Sequence, residues 1–190
     1  MDLGFQFILA TPMKIKSEDA EFGSGAGQIN PTKAVHPGLV YDISLDSYIS
    51  FLCKEGYNST TIGLLVGSQE YNCSKIKPAQ GTDELNYPTM HKQLSDPGSA
   101  ITTVFYRTVT HVEHGASVYR ANISSPVGLS VKVFHDSLDF AKAGERKRFK
   151  VVVKGEAMRD GTRILSALLE WKDSKHVVRS NVLIYRQLLM

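Results

Sequence analysis

Cysteine is scarce, with only Cys53 and Cys73 in 190 residues. Neither belongs to a CxxC pair or stands among histidines at metal-ligand spacing, which argues against a zinc site. No cofactor is implied either. The stretch "EFGSGAG" holds no GxGxxG between a strand and a helix, and no lysine placed for a phosphate loop. Long apolar runs are missing: the one from Phe5 to Ala10 is too short to cross a bilayer, so no membrane partner is expected. Nothing positive precedes that run, which makes it a poor signal peptide. Charge of one sign is not in excess, since 22 Lys and Arg face 19 Asp and Glu for a net charge of +3. Basic residues gather only in "GERKRFK", where Arg146 and Arg148 alternate with Lys147 and Phe149 as one polar face of a strand would. Nucleic acid wants a dense basic face and is not expected as a partner.

What is present suits a soluble globular chain, with 42% apolar and 22% charged residues. The length fits one ordinary domain, or a small domain with an attached segment. The cysteines would form one disulfide in an exported chain and stay as thiols in a cytosolic one. Glycosylation sequons begin at Asn58, Asn72 and Asn122, all in polar or turn-like surroundings. Together with the cysteine pair they lean towards an oxidising, secretory setting. Asn58 also suits a helix N-cap, and Asn72 adjoins Cys73, where a disulfide would hinder glycan transfer.

Catalytic constellations do not emerge. A hydrolase needs a nucleophile, a base and a group that orients the base. No G-x-S-x-G elbow occurs, and Ser130 in "GLSVK" reads as part of a strand start. His111, Glu113 and His114 invite a metal reading, but the H-E-x-x-H spacing is absent and a strand would turn His114 away from the other two. A solvated hairpin end is the simpler expectation there. Asp136 and Asp139 read as turn residues, and Asp42 and Asp46 as flanks of a helix start.

Residues 13–42 read as irregular structure, interrupted by Gly23, Gly25, Gly27, Pro31, Pro37 and Gly38. A helix follows, with Ser44 as N-cap, Leu45, Tyr48, Ile49 and Leu52 on one face and Gly56 as the stop. "STTIGLLVGSQ" predicts a second, with Ile62, Leu65 and Val66 on one side. Both are too short to stand without a packing partner. After a polar linker over residues 75–85, apolar residues recur every second position in "ITTVFYRTVTHV", "SVYRANI", "LSVKVFHDSLDF", "RKRFKVVVKG", "RILSALLEWKD" and "HVVRSNVLIY". With an edge strand near Tyr87 this makes about seven strands, the pattern of a mainly β, antiparallel, fibronectin-like sandwich. Trp171 belongs to its core or core edge.

One stretch carries more. "FGSGAGQINPTKAVHPGLVYD", residues 22 to 42, resembles the segment that follows the catalytic serine in plant subtilisin-like serine proteases. Phe22, Gly23, Gly25, Gly27, Pro31, Ala34, Pro37, Gly38, Leu39, Tyr41 and Asp42 match that family's pattern. "DSYISFLCKEGYNSTTI" is similar to its Y-x-x-F-L-C-x-x-G-Y segment, and "LNYPTM", with Asn86, Tyr87 and Pro88, to the L-N-Y-P-S that opens its fibronectin type-III-like domain. "RTVTHV", "LDFAKAGERKRFKVVV" and "LLEWKDSKHVVRSNVLIY" resemble its later strands. Glu113 stands where the family has glycine, and Asn181 where it has an edge-strand proline.

The resemblance divides the chain into an unmatched N-terminus, 1–11, a remnant of an α/β catalytic domain, 12–74, the linker, 75–85, and the sandwich, 86–190. The family's catalytic residues lie upstream of the matched region, so no catalytic residue carries over. The resemblance implies a non-catalytic, extracellular portion of a serine endopeptidase, partnered by a subtilisin-like catalytic domain in cis or in trans. The alternative is a stand-alone binding module from a truncated protease gene. A remnant parted from its sheet would leave Ile15, Phe22, Ile29, Leu39 and Val40 exposed or collapsed.

Overall fold

Alternation of β-branched and aromatic residues with polar ones turns every second side chain to one face of a strand, and burial follows that rule closely. The structure is a computed structural model, and it describes residue 22 and residues 30–67, 71–76, 80–82, 85–96, 98–158 and 161–186. Gly23, Gly25, Gly27, Ile15, Ile29 and the unmatched N-terminus lie outside the described residues.

In chain order the elements are α1 (Pro31–Ala34), β1 (Leu39–Val40), α2 (Leu45–Lys54), α3 (Ser59–Val66), β2 (Met90–Leu94), β3 (Ile101–His111), β4 (Ser117–Ser124), β5 (Leu129–Phe134), β6 (Ser137–Phe140), β7 (Arg146–Gly155), β8 (Ile164–Lys172) and β9 (Val177–Arg186). The strands form a β-sandwich whose sheets run β1-β3-β7-β5 and β2-β9-β8-β4-β6. Phe105 and Val109 of β3, Val151 and Val153 of β7, Leu169 of β8 and Val182 and Ile184 of β9 fill the space between them. Trp171 is fully buried and meets Phe149 edge to face, with ring centroids 5.0 Å apart. Truncating so large a core side chain to alanine costs roughly 3–5 kcal/mol.

The strand count exceeds the seven expected: eight described strands lie beyond residue 86, and β1 adds a ninth. "LSVKVFHDSLDF" is two strands. β5 pairs with β7 in one sheet and β6 with β4 in the other, and the chain crosses between them at His135, whose φ is 64°. The strand expected near Tyr87 begins at Met90 and runs parallel to β9, so the sandwich is not wholly antiparallel. β9 is also an inner strand, flanked by β2 and β8, so Asn181 does not lie on an edge strand.

The helices obey their caps. Asn30 accepts from the Lys33 amide with Pro31 in the first turn of α1, Ser44 accepts from the Ser47 amide, and Asn58 accepts from the Thr61 amide at 2.8 Å. Gly67 closes α3 at φ 69°. Ile49 and Ile62 are the buried apolar side chains of α2 and α3. Leu45, Tyr48 and Leu65, expected to face inward, are 53%, 46% and 65% exposed.

Candidate functional site

The most constrained region is where the segment before the helices enters the sandwich. Gly38 adopts φ 79°, and a Cβ there would stand 2.5 Å from the Tyr119 hydroxyl and 2.9 Å from the His176 ring. Only glycine fits, because its left-handed φ and the close approach both exclude a side chain. The backbone then runs as β1 against β3, pairing Leu39 with His111 and Val40 with Thr110. The Gly38 carbonyl accepts from the Val112 amide at 3.0 Å. Leu39 enters the sandwich core at 2% exposure, which corrects the expectation that it would lack a packing partner. Val40 is half-buried, and Phe22 lies edge-on to Tyr185 while remaining largely exposed.

Tyr41 continues the anchor. Its ring is buried and its hydroxyl shares a 2.7 Å hydrogen bond with Ser180. Burial raises its pKa, and the Ser180 bond and the Arg107 charge offset this only in part. The Asp42 carboxylate accepts from the Thr110 hydroxyl. Asn86 then clasps both sides, donating to the carbonyls of Asp42 and Thr108 at 2.9 and 2.8 Å and accepting from the Thr108 amide. Next to it, buried Arg107 donates to the carbonyls of Tyr87, Tyr106 and Thr89. Pro88 is buried, Tyr87 half-exposed, and the Pro37 carbonyl accepts from the Leu39 amide. Pro31 is exposed on α1.

Beside Gly38 sits a polar network that sequence reasoning missed. The Asp173 carboxylate accepts from Ser117 Oγ at 2.7 Å, from the Lys175 and His176 amides at 2.7 and 2.5 Å, and lies 3.1 Å from His176 Nδ1. Burial works against this carboxylate, but the bonds from His176, Lys175 and Ser117 outweigh it and hold its pKa well below the usual carboxylate range. The Tyr119 hydroxyl is raised by burial and by the Asp173 charge. Serine, histidine and aspartate invite comparison with a hydrolytic triad. There the serine bonds the histidine that takes its proton. Here Ser117 and His176 bond the same carboxylate, which makes a turn lock around Gly38. The three-residue spacing of Asp173 and His176 in "LLEWKDSKHVVRSNVLIY" is the signal that the sequence carries for this turn.

The remaining candidates are dispersed. His111 is buried, not solvated: its ring stacks on Phe140 at 5.1 Å, and Nδ1 lies 3.4 Å from the Lys142 carbonyl. Glu113 pairs with His36 at 3.5 Å, and His114 is exposed. Ser130 faces Lys154 across the ladder. No group of three His, Cys, Asp or Glu placed to hold a metal ion occurs among the described residues.

Cys53 and Cys73 are joined by a disulfide that ties α2 to the segment after α3, with the Cys73 amide donating to Ser59 Oγ at 3.1 Å. On this helical pair Leu45, Tyr48, Tyr57, Leu64 and Leu65 stand in solvent, Leu64 at 81%. Of the sequon asparagines, Asn58 uses Oδ1 as helix cap, Asn72 uses Oδ1 to accept from the Ser74 amide, and Asn122 donates Nδ2 to Glu170 at 3.0 Å. The Glu170 carboxyl is lowered below its ordinary pKa: burial raises it, but Lys172, Asn122 and Arg179 together outweigh that.

Comparison with known proteins follows the same outline. The profile of the fibronectin type-III domain family matches residues 84–184. Subtilisin-like protease SBT4.15 of Arabidopsis thaliana is 50% identical over 185 residues, covering 93% of this chain and 24% of its own length. Subtilisin-like protease SBT4.14 of the same plant is 48% identical, with 89% and 22% covered. Subtilisin-like protease Glyma18g48580 of Glycine max is 37% identical, with 87% and 20% covered. The chain therefore spans about a quarter of the length of the curated relatives it matches. Among solved structures, a FixG-related protein from Vibrio parahaemolyticus aligns over 46% of this chain and 81% of its own at 9% identity and a TM-score of 0.38.

Proposed function

We propose, from the premise that this chain belongs to the fibronectin type-III domain family, that it is the non-catalytic C-terminal portion of an extracellular subtilisin-like serine endopeptidase. Its similarity to plant subtilisin-like proteases along nearly its whole length supports this reading. In that role the sandwich braces the catalytic domain of the intact enzyme, and the chain alone hydrolyses nothing.

The observation that carries the reading is the anchoring of residues 38–42. Leu39 and Tyr41 are core residues of the sandwich, yet they belong to the stretch that resembles the tail of a catalytic domain. A domain tethered by a loose linker would move independently. A tail built into a sheet carries its upstream neighbour with it. The exposed apolar side chains of α2 and α3 suit the catalytic domain as their cover, because the matched relatives continue for about three quarters of their length beyond this region. The disulfide fits an extracellular setting.

A subtilisin-like catalytic domain lacking its own C-terminal portion provides the test. Mixed with the purified 190-residue chain, it is expected to associate and to melt at a higher temperature. A fluorophosphonate probe is expected to label that domain and to leave this chain unlabelled. Labelling of a serine in the isolated chain, or no association, would overturn the proposal. The binding-module alternative predicts a native polypeptide near 21.0 kDa on an immunoblot, and the proteolytic reading a much larger one.

A further inference from the structure

The alternation in "GERKRFK" that argues against a dense basic face in the sequence builds a basic row in the sheet. On β7, Arg146, Arg148, Lys150 and Lys154 share the face turned away from the core, because Phe149, Val151 and Val153 take the other. Arg146, Arg148 and Lys150 stand about 7 Å apart in succession, and Lys154 follows about 13 Å beyond Lys150 with Val152 between them. β5 runs beside this row, pairing Lys132 with Val152, and adds a fifth cation to the same face. The β3, β5 and β7 positions on that face hold no Asp or Glu: β3 contributes Thr102, Val104, Tyr106, Thr108 and Thr110, and β5 adds Ser130 and Phe134.

On the opposite sheet two cations stand beside one carboxylate. Lys172 and Arg179 both pair with Glu170, at 2.6 and 3.0 Å. Among the described residues none of the five cations on the outer face makes an ion pair, and Asp42, at the Thr110 end, is engaged by that threonine. Like charges gathered without counter-charges repel, so this face is electrostatically complementary to an extended anion.

The aromatic side chains narrow the class. Arg148 lies over the Tyr106 ring at 5.2 Å, and Lys150 over the Phe134 ring at 4.1 Å. Binders of single-stranded nucleic acid keep aromatic faces open for bases to stack on. Here both rings already carry a cation. A membrane-binding face needs apolar side chains projecting from its centre, whereas Val104 and Val152 at the centre of this one are half-buried. What remains is a face of five cations, two of them guanidinium forks suited to bidentate carboxylates, with Arg148 also donating to Gln80 Oε1 at 3.1 Å. We propose that the outer face of β7 and β5 binds a linear acidic polysaccharide through its uronate carboxylates. This is independent of the proteolytic reading.

The test is binding of the full 190-residue chain to polygalacturonate, with uncharged dextran, oligo-dT and anionic phospholipid vesicles as comparisons. The chain is expected to bind polygalacturonate more tightly than any of these, with affinity falling as salt rises. The triple variant Arg146→Gln, Lys132→Gln, Lys154→Gln removes charge at exposed positions outside the core, and should weaken binding by about tenfold or more. Arg148→Gln alone should weaken it by about threefold. A charge-matched control, Lys75→Gln, Lys142→Gln, Lys175→Gln, should bind like the parent. Equal losses in the two triple variants, binding no better than to dextran, or equal or tighter binding of oligo-dT or vesicles would each overturn the proposal. Circular dichroism of every variant must match the parent for the comparison to count.

Discussion

A methyl group at residue 38 would meet the Tyr119 hydroxyl at 2.5 Å, whereas one at Gly115 would meet nothing within 4 Å. Both glycines have left-handed φ values, 79° and 89°, so comparing them separates backbone strain from collision. Gly115→Ala should cost about 1 kcal/mol in urea unfolding, and Gly38→Ala about 3 kcal/mol or more. Equal losses would mean that the approach to Tyr119 and His176 is unimportant. Asp173 supports a second claim. Its folded pKa is depressed, while an unfolded aspartate titrates near about 3.9. The stabilisation from its network is therefore complete above that value and is lost as pH falls below it. Asp173→Asn should lower the melting temperature at neutral pH and show a shallower further fall between about pH 5 and pH 2. Parallel curves for parent and variant would contradict this. The spacing of Asp173 and His176 was visible in the sequence. Their meeting with Ser117, which lies 56 positions before Asp173, depends on strand order and was not.

Among elements, the helical pair depends most on its staple. The disulfide bridges a sequence separation of 20, a constraint worth about 3 kcal/mol by chain-entropy reasoning. Reduction should accelerate amide hydrogen exchange across α2 and α3 while leaving β3 and β7 protected. Loss of protection throughout would show that the helices and sandwich unfold as one unit. Leu64→Asp with Leu65→Asp should leave the melting temperature of the isolated chain within about 1 °C, since both side chains are largely exposed, yet abolish association with a catalytic domain. The element level also shows where sequence reading succeeds. Period-two runs located most of the sandwich, and Ser44, Asn58 and Gly56 marked the ends of helices, because capping and pleating are local physics. The reading failed where a distant partner decides. The two-residue β1 is a strand only because β3 offers it an edge, β2 is parallel only because of where β9 lies, and His135 breaks an apparently continuous run by switching sheets. Leu45 and Tyr48 sit on a helical face of the right period but meet no described neighbour able to bury them.

At the scale of the molecule, the sandwich is completed by residues that lie far ahead of it in the sequence. The family profile begins at residue 84, but Leu39 and Tyr41 occupy the core. A chain beginning at residue 44 would forgo both side chains, each worth about 2–3 kcal/mol of burial, and would expose the β3 edge that β1 now covers. Its unfolding midpoint in urea should fall accordingly. An unchanged midpoint would show that the anchor contributes little.

Seen as an engineering problem, β1 makes this a two-piece assembly joined by a tether. The shortened chain would present an open slot, with Tyr119 and His176 at one end, Ser180 in its floor and Asn86 at the other end. A synthetic peptide spanning residues 36–43 would be its natural plug, restoring in trans what the intact chain supplies in cis, so the sandwich could serve as a split reporter that reassembles around a glycine-leucine-valine-tyrosine key.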